Sequence, residues 1–536
     1  MLVPESGLEL IQYAEGRLPK SPLFMVKLVA AMQVALFASS PSLAELMPPP
    51  EKVASPSEQQ VVAEIADQLG EVGDNEAALA VLDRALQRLH EPTKLRGYVQ
   101  YFRAPWLLDQ SRHAESVEAI DESIRLLPGY SGPLIVASRI YTYAGRPGEA
   151  ADFLLRAIQL DPNEARKIDS YEIDALLGRL TIARDDRRAE IVGERLLEIG
   201  WVGTDLDTSS SLALQAIKKK ISEGDVAGAR LLVPKLVSPD HSQTLLINNT
   251  YRQIWPDVEG WAGQKLEKQW PIYLNEARAR WDASKSPEML GPYVRALLMA
   301  GHNDTVIAEV LPSFSAKLDA DEDYDLLFVA ASVARALARK GRWQDLNGLY
   351  AGLDRVWPLG SDVNALNLAA NRPNWLLHQG AYADALKAVD AAIAEARARG
   401  TDVNADATAT MYLYRACILH KLNRDAEARI SARSALPGLR TGAAAYLHLC
   451  LDDERAAKQV LIAALSDPVR RDDVLLYVQR SDAAPPQSEF GRMMQNKVDT
   501  LRSDPALLSE VGKYGRILPY GLSDSAPKEA PTILSH

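Results

Sequence analysis

Between Pro133 and Asn163 the chain reads PLIVASRIYTYAGRPGEAADFLLRAIQLDPN, and this stretch restricts the fold more than any other feature. An amphipathic run ends at Tyr143, Ala144-Gly145-Arg146-Pro147 turns the chain, and a second run follows. That second run carries Ala150, Leu154, Ala157 and Ile158 on one face before Asp161-Pro162 stops it. The same grammar recurs upstream with Gly73, Ala78, Leu82 and Ala85, and with Ser116, Ile120, Ser123 and Pro128. Downstream it recurs with Gly341, Leu346, Tyr350, Leu353 and Pro358, and with Gly380, Ala385, Val389 and Ala392. Asn423, Ala428 and Ala435, then Ala457, Leu461, Ala464 and Pro468, continue it. Antiparallel helices joined by a short turn approach closely only where side chains are small, which explains the recurrent alanine. A single pair cannot hide its apolar face, so the pairs must stack. The expected fold is therefore all-α, a serial stack of helical hairpins.

This pattern resembles the tetratricopeptide repeat, whose period is about 34 residues. That motif has small residues at its eighth, twentieth and twenty-seventh places and proline at its thirty-second. Ser138, Ala150, Ala157 and Pro162 occupy them in the best unit, and Ala334, Leu346, Leu353 and Pro358 do so less strictly. About ten units are counted over residues 58–240 and 287–480, with weak ones near Ala189, Ala229 and Val306. The resemblance implies a TPR-like α-solenoid, a right-handed superhelix whose first helices line a concave surface for a protein or peptide partner. Inward positions carried over from the family give Tyr98, Tyr101, Arg139 and Thr142 early, and Arg295, Arg335 and Asn374 later. Arginines recurring along a groove suit carboxylate-bearing segments, because guanidinium meets carboxylate in two parallel bonds. The family's Lys/Asn clamp for chaperone tails is missing, since Ala63, Asp67, Tyr101 and Pro105 stand at its opening places.

Residues 241–286 fit no unit. They hold Trp255, Trp261, Trp270 and Trp281 with Lys265, Lys268, Arg278 and Arg280 interleaved, and prolines 256 and 271 suggest two helices of about 13 residues. Rings beside cations suit a ligand surface, while large rings filling an irregular junction are the plainer reading. Residues 481–536 leave the pattern too. Helices near 490–501 and 504–511 are expected to cap the last repeat, with a disordered end from 523.

Charge and motif content narrow the function. Sixty Lys and Arg against 71 Asp and Glu give a net charge of −11, which argues against general nucleic-acid binding. The eight histidines show no metal spacing, no phosphate loop or nucleophile elbow occurs, and no cofactor is implied. Alternating acids at Asp319, Asp321, Asp323 and Asp325, and at Asp402, Asn404 and Asp406, lack the glycine and closing glutamate of a calcium loop. Cys417 and Cys450 read as buried small hydrophobes at different helical phases, although an oxidising compartment would allow a bond. Lys218-Lys219-Lys220 reads as a solvated face.

The first residues carry an address. Lys27, an apolar run over 28–38 broken only by Gln33, and Ser42-Leu43-Ala44 have the build of a secretory signal at 25–44. Residues 1–24 then read as an upstream extension, and 45–57, with Pro48-Pro49-Pro50, as a linker. The expected protein is a non-catalytic adaptor, periplasmic or secreted, touching membrane only through an associated complex. A cytoplasmic location, a subunit of an envelope or polysaccharide-export assembly, and an enzyme with its site at the Trp-rich junction are the alternatives.

Overall fold

A computed structural model describes residues 75–530 except 286, 315–317, 321–322, 325, 362, 401–402, 404 and 481–485, together with Val61, Ile65 and Gln68. The candidate signal, the Pro-rich linker and Gly73 lie outside the described residues, as do Asp321, Asp325, Asp402 and Asn404. The chain is an all-α array of helical hairpins. Its contacts divide into two compact units between Thr204 and Asp205, earlier than the expected change at 240.

The first unit opens with α1 (Asn75–Arg88) and continues as α2/α3 (Lys94–Asp109, His113–Leu126), α4/α5 (Ser131–Tyr143, Pro147–Leu160) and α6/α7 (Ser170–Ile182, Asp186–Glu198). Helix α4 packs against α2 and α6 as well as its own partner, so the first helices form one layer. Between the layers sit Ala137, Ala150, Leu154 and Ala157, all essentially sealed from solvent.

The second unit starts with α8/α9 (Leu206–Ser222, Val226–Leu232) and the junction helices α10 (Pro239–Ile247), α11 (Trp255–Ala262) and α12 (Gln269–Ser284). Proline sits in the first turn of α11, and α12 runs past the expected 13 residues. Then come α13/α14 (Pro287–Met299, Asn303–Val310), α15/α16 (Leu326–Arg339, Trp343–Val356) and α17/α18 (Val363–His378, Tyr382–Arg399). The array ends with α19/α20 (Ala405–Lys421, Asp425–Ala435), α21/α22 (Thr441–Cys450, Glu454–Leu465), α23 (Pro468–Tyr477), α24 (Glu489–Arg502) and α25 (Pro505–Tyr514).

One turn recurs in both units. The hairpin turns place a single residue in the left-handed region: Gly145, Gly224, Gly301, Gly341 and Gly380, but also Ser111, Arg184, Asn423 and Asp452. The next residue donates its N–H to the carbonyl five back, as in Arg146 to Tyr141, Arg342 to Leu337 and Asp453 to His448, each 2.9 Å. This six-residue closure satisfies the last carbonyls of the first helix. The donor residue then starts the second helix. Where it is Arg112, Arg146 or Arg424, its guanidinium clips the acid three residues on. Asp185, Asp225 and Asp453 instead cap the helix with a carboxylate oxygen. The weak units at Ala229 and Val306 keep this turn, and both side chains are fully buried.

Three expectations are corrected in the second unit. Cys417 and Cys450 are bonded, with Cα atoms 5.6 Å apart; the stacking of α19 beside α21 brings together two helix phases that differ in sequence. Lys218 is not merely solvated but pairs with Asp472 at 2.6 Å. Nor is the end from 523 wholly disordered, since the Ser525 hydroxyl donates to Lys265 O. Residues 515–525 form a strap laid back on the junction: Arg516 N–H donates to Ile247 O at 2.9 Å, and Gly515 pairs with Asn248 in an antiparallel bridge. Gly515 is needed for the approach, because a Cβ there would stand 2.3 Å from Ile247 O.

Helix α24 does more than cap the end. It lies along the turns of successive hairpins, with Gln487 against Gly341 and Ser488 Oγ 2.8 Å from His378 Nδ1. Further along, Lys421 reaches Met493, Lys497 donates to Leu449 O at 2.9 Å, and Arg502 donates to Tyr477 O at 2.7 Å. Met494 and Val498 are sealed beneath it. Burial on this brace pushes the His378 imidazole down to about 3.

Candidate interaction surfaces

The junction tryptophans are spent on packing. Trp255 donates its ring N–H to Leu245 O and Trp261 to Leu236 O, each at 2.9 Å. Trp270 is fully buried and donates to Leu522 O of the strap at 2.9 Å. Over Trp255 lies the Arg516 guanidinium, 3.7 Å from the ring centre, which also donates to Leu246 O at 2.6 Å and to Glu259 at 2.9 Å. Trp281 stacks on Tyr293 at 5.3 Å with an interplanar angle of 6°. Arg278, only 4% exposed, donates to Asp282 at 2.9 Å, the Tyr293 hydroxyl at 2.5 Å and Glu309 at 3.0 Å.

The arginines expected to line a groove in this unit point to internal partners. Arg295 donates to Asp205 at 2.5 Å and stands 3.8 Å from Asp207. Asp207 accepts from the Tyr273 hydroxyl at 2.8 Å, and burial with the neighbouring Asp205 charge pushes its carboxyl up to about 6. Arg335 and Asn374 are buried in α15 and α17, and the Arg335 charge acts on the Tyr414 hydroxyl. Arg335 and Asn374 therefore belong to the core of the second unit, and Arg295 to a part-buried ion pair.

The first unit differs. On its first-helix layer, Tyr98 packs edge-on to Tyr130 at 5.8 Å, and Tyr101 stands 6.3 Å from the same ring. Thr142 is buried and spends its hydroxyl on Ser138 O at 2.8 Å. Arg139 lies 3.5 Å from Glu172, with side-chain exposures of 18% and 26%. Around this pair the layer shows groups that the family positions did not single out. Asp109 at the end of α2, Tyr143 at the end of α4, and Tyr171 and Glu172 at the start of α6 share one patch, since Tyr143 feels Tyr171, Arg139 and Glu172. Asp109 feels Arg139, and burial raises its carboxyl to about 7. Its Oδ1 is enclosed without a hydrogen-bond partner. Glu172 is also raised, first by burial, and the Tyr101 hydroxyl is pushed up to about 12 by burial and by Glu164 and Glu172. Asp109 follows buried Leu108, and Tyr143 follows buried Thr142. The presented face is thus turned by one residue from the family positions at these helix ends. Recurrence of Tyr or acid one place after the twelfth position was the signal available in the sequence.

No protein-family model matches the chain, and no curated protein matches it. Solved structures resemble it loosely. Yeast Tom70 is 13% identical over 82% of this chain and 96% of its own, with a TM-score of 0.26. The TPR domain of P58(IPK) is 11% identical over 85% and 99%, TM-score 0.18. The APC/C hetero-tetramer Cut9-Hcn1 is matched at 12% identity over 85% and 98%, TM-score 0.24. Superpositions this loose say nothing about what the present chain binds.

Proposed function

We propose that the protein is a non-catalytic scaffold that holds a segment of a partner protein on the first-helix layer of residues 94–182. One observation carries this reading. The junction is sealed by the chain's own strap and the turns of the second unit by α24, whereas the first unit keeps Tyr101, Tyr143, Tyr171, Arg139 and Glu172 part-exposed on one layer. Part-exposed tyrosines around charged groups are the composition of a recognition surface. The junction reading of an enzyme lacks such support, because its rings and Arg278 are already engaged.

We further propose export to the periplasm or the outside, on the signal-like segment at 25–44 and the Cys417–Cys450 bond, a pairing that persists in oxidising compartments. A subunit role in an envelope assembly is compatible with both.

Photo-crosslinking in living cells tests the scaffold. A benzophenone amino acid at Tyr101 or Tyr171 is expected to trap a defined protein that the same group at Leu508, on α25, does not. Identical products at all three positions, or none at Tyr101 and Tyr171, refute the scaffold.

A further inference from the structure

Beyond the first-unit surface, we infer that α24 is a displaceable occupant of a helix-binding groove on the second unit, and that an amphipathic helix of a partner protein takes its place. The groove runs across the C-terminal ends of four first helices, α17, α19, α21 and α23, and α24 shows what fits it. Phe490, Met494, Val498 and Leu501 form one sealed stripe at helical spacing. Glu489, Arg492, Asn496, Asp499 and Thr500 are exposed on the rest of its surface. Lys497 donates to Leu449 O at 2.9 Å and Arg502 to Tyr477 O at 2.7 Å. Two cations thus meet the partially negative ends of two consecutive first helices.

Two observations mark α24 as replaceable. The hairpins beneath it close on their own backbone, since Ala381, Arg424 and Asp453 each donate their N–H to the carbonyl five back at 2.9 Å. More telling, α24 covers the groove without satisfying it. At one end His378, 8% exposed, stands 2.8 Å from Ser488 Oγ through Nδ1 and packs edge-on to Phe490 at 5.3 Å, yet its Nε2 is enclosed with no hydrogen-bond partner. At the other end Tyr477, 4% exposed, has the Arg502 guanidinium 5.5 Å from its ring centre, and its hydroxyl is likewise enclosed and unmet. A polar group buried without a partner costs the loss of its hydration. A helix with the same stripe and the same two cations, and with hydrogen-bonding groups over His378 and Tyr477, therefore fits better than the resident one. Such a partner lays its apolar face in the groove and carries lysine or arginine along its second half. An acidic helix is disfavoured, because its carboxylates would stand at the negative ends of α21 and α23. Asp504 caps α25 and pairs with Lys458 at 2.8 Å, so α25 stays docked when α24 swings away.

The test uses the whole chain and two fluorescein-labelled peptides of residues 487–503, one of native sequence and one carrying Lys497→Glu and Arg502→Glu. In the chain, Met494→Asp puts a carboxylate under the sealed stripe and should release α24, quickening its hydrogen exchange by about tenfold or more while α17 to α23 keep their protection. By fluorescence anisotropy the released chain should bind the native-sequence peptide about tenfold tighter than the unsubstituted chain does. The charge-reversed peptide should bind the released chain about tenfold more weakly than the native-sequence one. Lys497→Glu, at a part-exposed position, is a milder release and should move exchange and binding the same way by about threefold. Tyr477→Phe removes an unmet hydroxyl from the groove and should slow exchange of α24 by about threefold. Peptide binding no tighter in the released chains, equal binding of the two peptides, or exchange no slower in Tyr477→Phe overturns the inference. So does loss of protection throughout α17 to α23 in both release variants, which would make α24 part of the fold. None of these results touches the crosslinks at Tyr101 and Tyr171, so the groove and the first-unit surface can fail separately.

Discussion

Arg516→Ala should release the strap without unfolding the array. Three interactions are lost together: the bond to Leu246 O at 2.6 Å, the pair with Glu259 at 2.9 Å and the stack on Trp255 at 3.7 Å. Arg516 and Glu259 are each about one-third exposed, so the ion pair is discounted to an exposed one, roughly 0.5–1 kcal/mol. The bond to a carbonyl adds about 1–1.5 kcal/mol and the stack about 0.5–1 kcal/mol. The sum is about 2–3.5 kcal/mol, or roughly 30- to 350-fold in the opening equilibrium of the strap. The backbone N–H of residue 516 still donates to Ile247 O in the variant, and Leu518 N–H to Gln479 at 2.9 Å. Hydrogen exchange of the 515–522 peptide, followed by mass spectrometry, reads the opening directly. Exchange should quicken by the stated factor there while α15 to α18 keep their protection. Acceleration below threefold would refute the energetic account. Equal acceleration throughout the unit would refute the idea that the strap opens on its own.

Ala157→Leu puts three extra carbons between the layers at a sealed site; overpacking should cost about 1–3 kcal/mol and lower the thermal midpoint of the first unit by several degrees in calorimetry. Burial lowers His378 to about 3 and His241 to about 4, so below pH 6.5 the unfolded chain takes up protons that the folded chain refuses. Each histidine therefore withdraws about 2 kcal/mol of stability by pH 5, while Asp207 and Asp109 oppose them because their folded carboxyls keep their protons to about 6 and about 7. Urea midpoints at pH 7 and 5 should show His378→Gln losing about 2 kcal/mol less than the native chain, and an unchanged difference would contradict this. In material isolated under acid quench, Cys417 and Cys450 should resist alkylation in denaturant until a reductant is added; immediate labelling would refute the bond.

The hairpin grammar was legible because it rests on local chemistry. Small residues such as Ala150 and Ala157 mark the helix contact, and Gly145, Gly341 and Gly380 mark the left-handed turn residue. Units whose turn places Ser111 or Arg184 in that conformation are harder to read, since nothing in those residue types announces it, while Asn423 and Asp452 announce it more weakly than glycine. Their turns hold through the backbone closure, which is blind to side chain. The strap was not legible, because Arg516 finds Leu246 and Trp255 across more than 250 positions and no periodicity encodes that pairing. The Cys417–Cys450 bond was hidden for a related reason: helix phase within each segment does not fix how two segments are rotated against each other. In the first unit, family positions singled out Arg139 but could not show that Glu172 already meets it.

The return of residues 515–525 to the junction has a consequence for biogenesis. A repeat array usually matures one hairpin at a time as the polypeptide leaves the ribosome, because each hairpin needs only its neighbour. Here Trp255, Trp270 and Ile247 receive their final contacts from Arg516 and Leu522, made some 250 residues later. At a synthesis rate of about 5–20 residues per second, the junction helices wait roughly 10–50 seconds with greasy faces uncovered. Such a nascent chain calls for holdase protection until residue 522 has emerged.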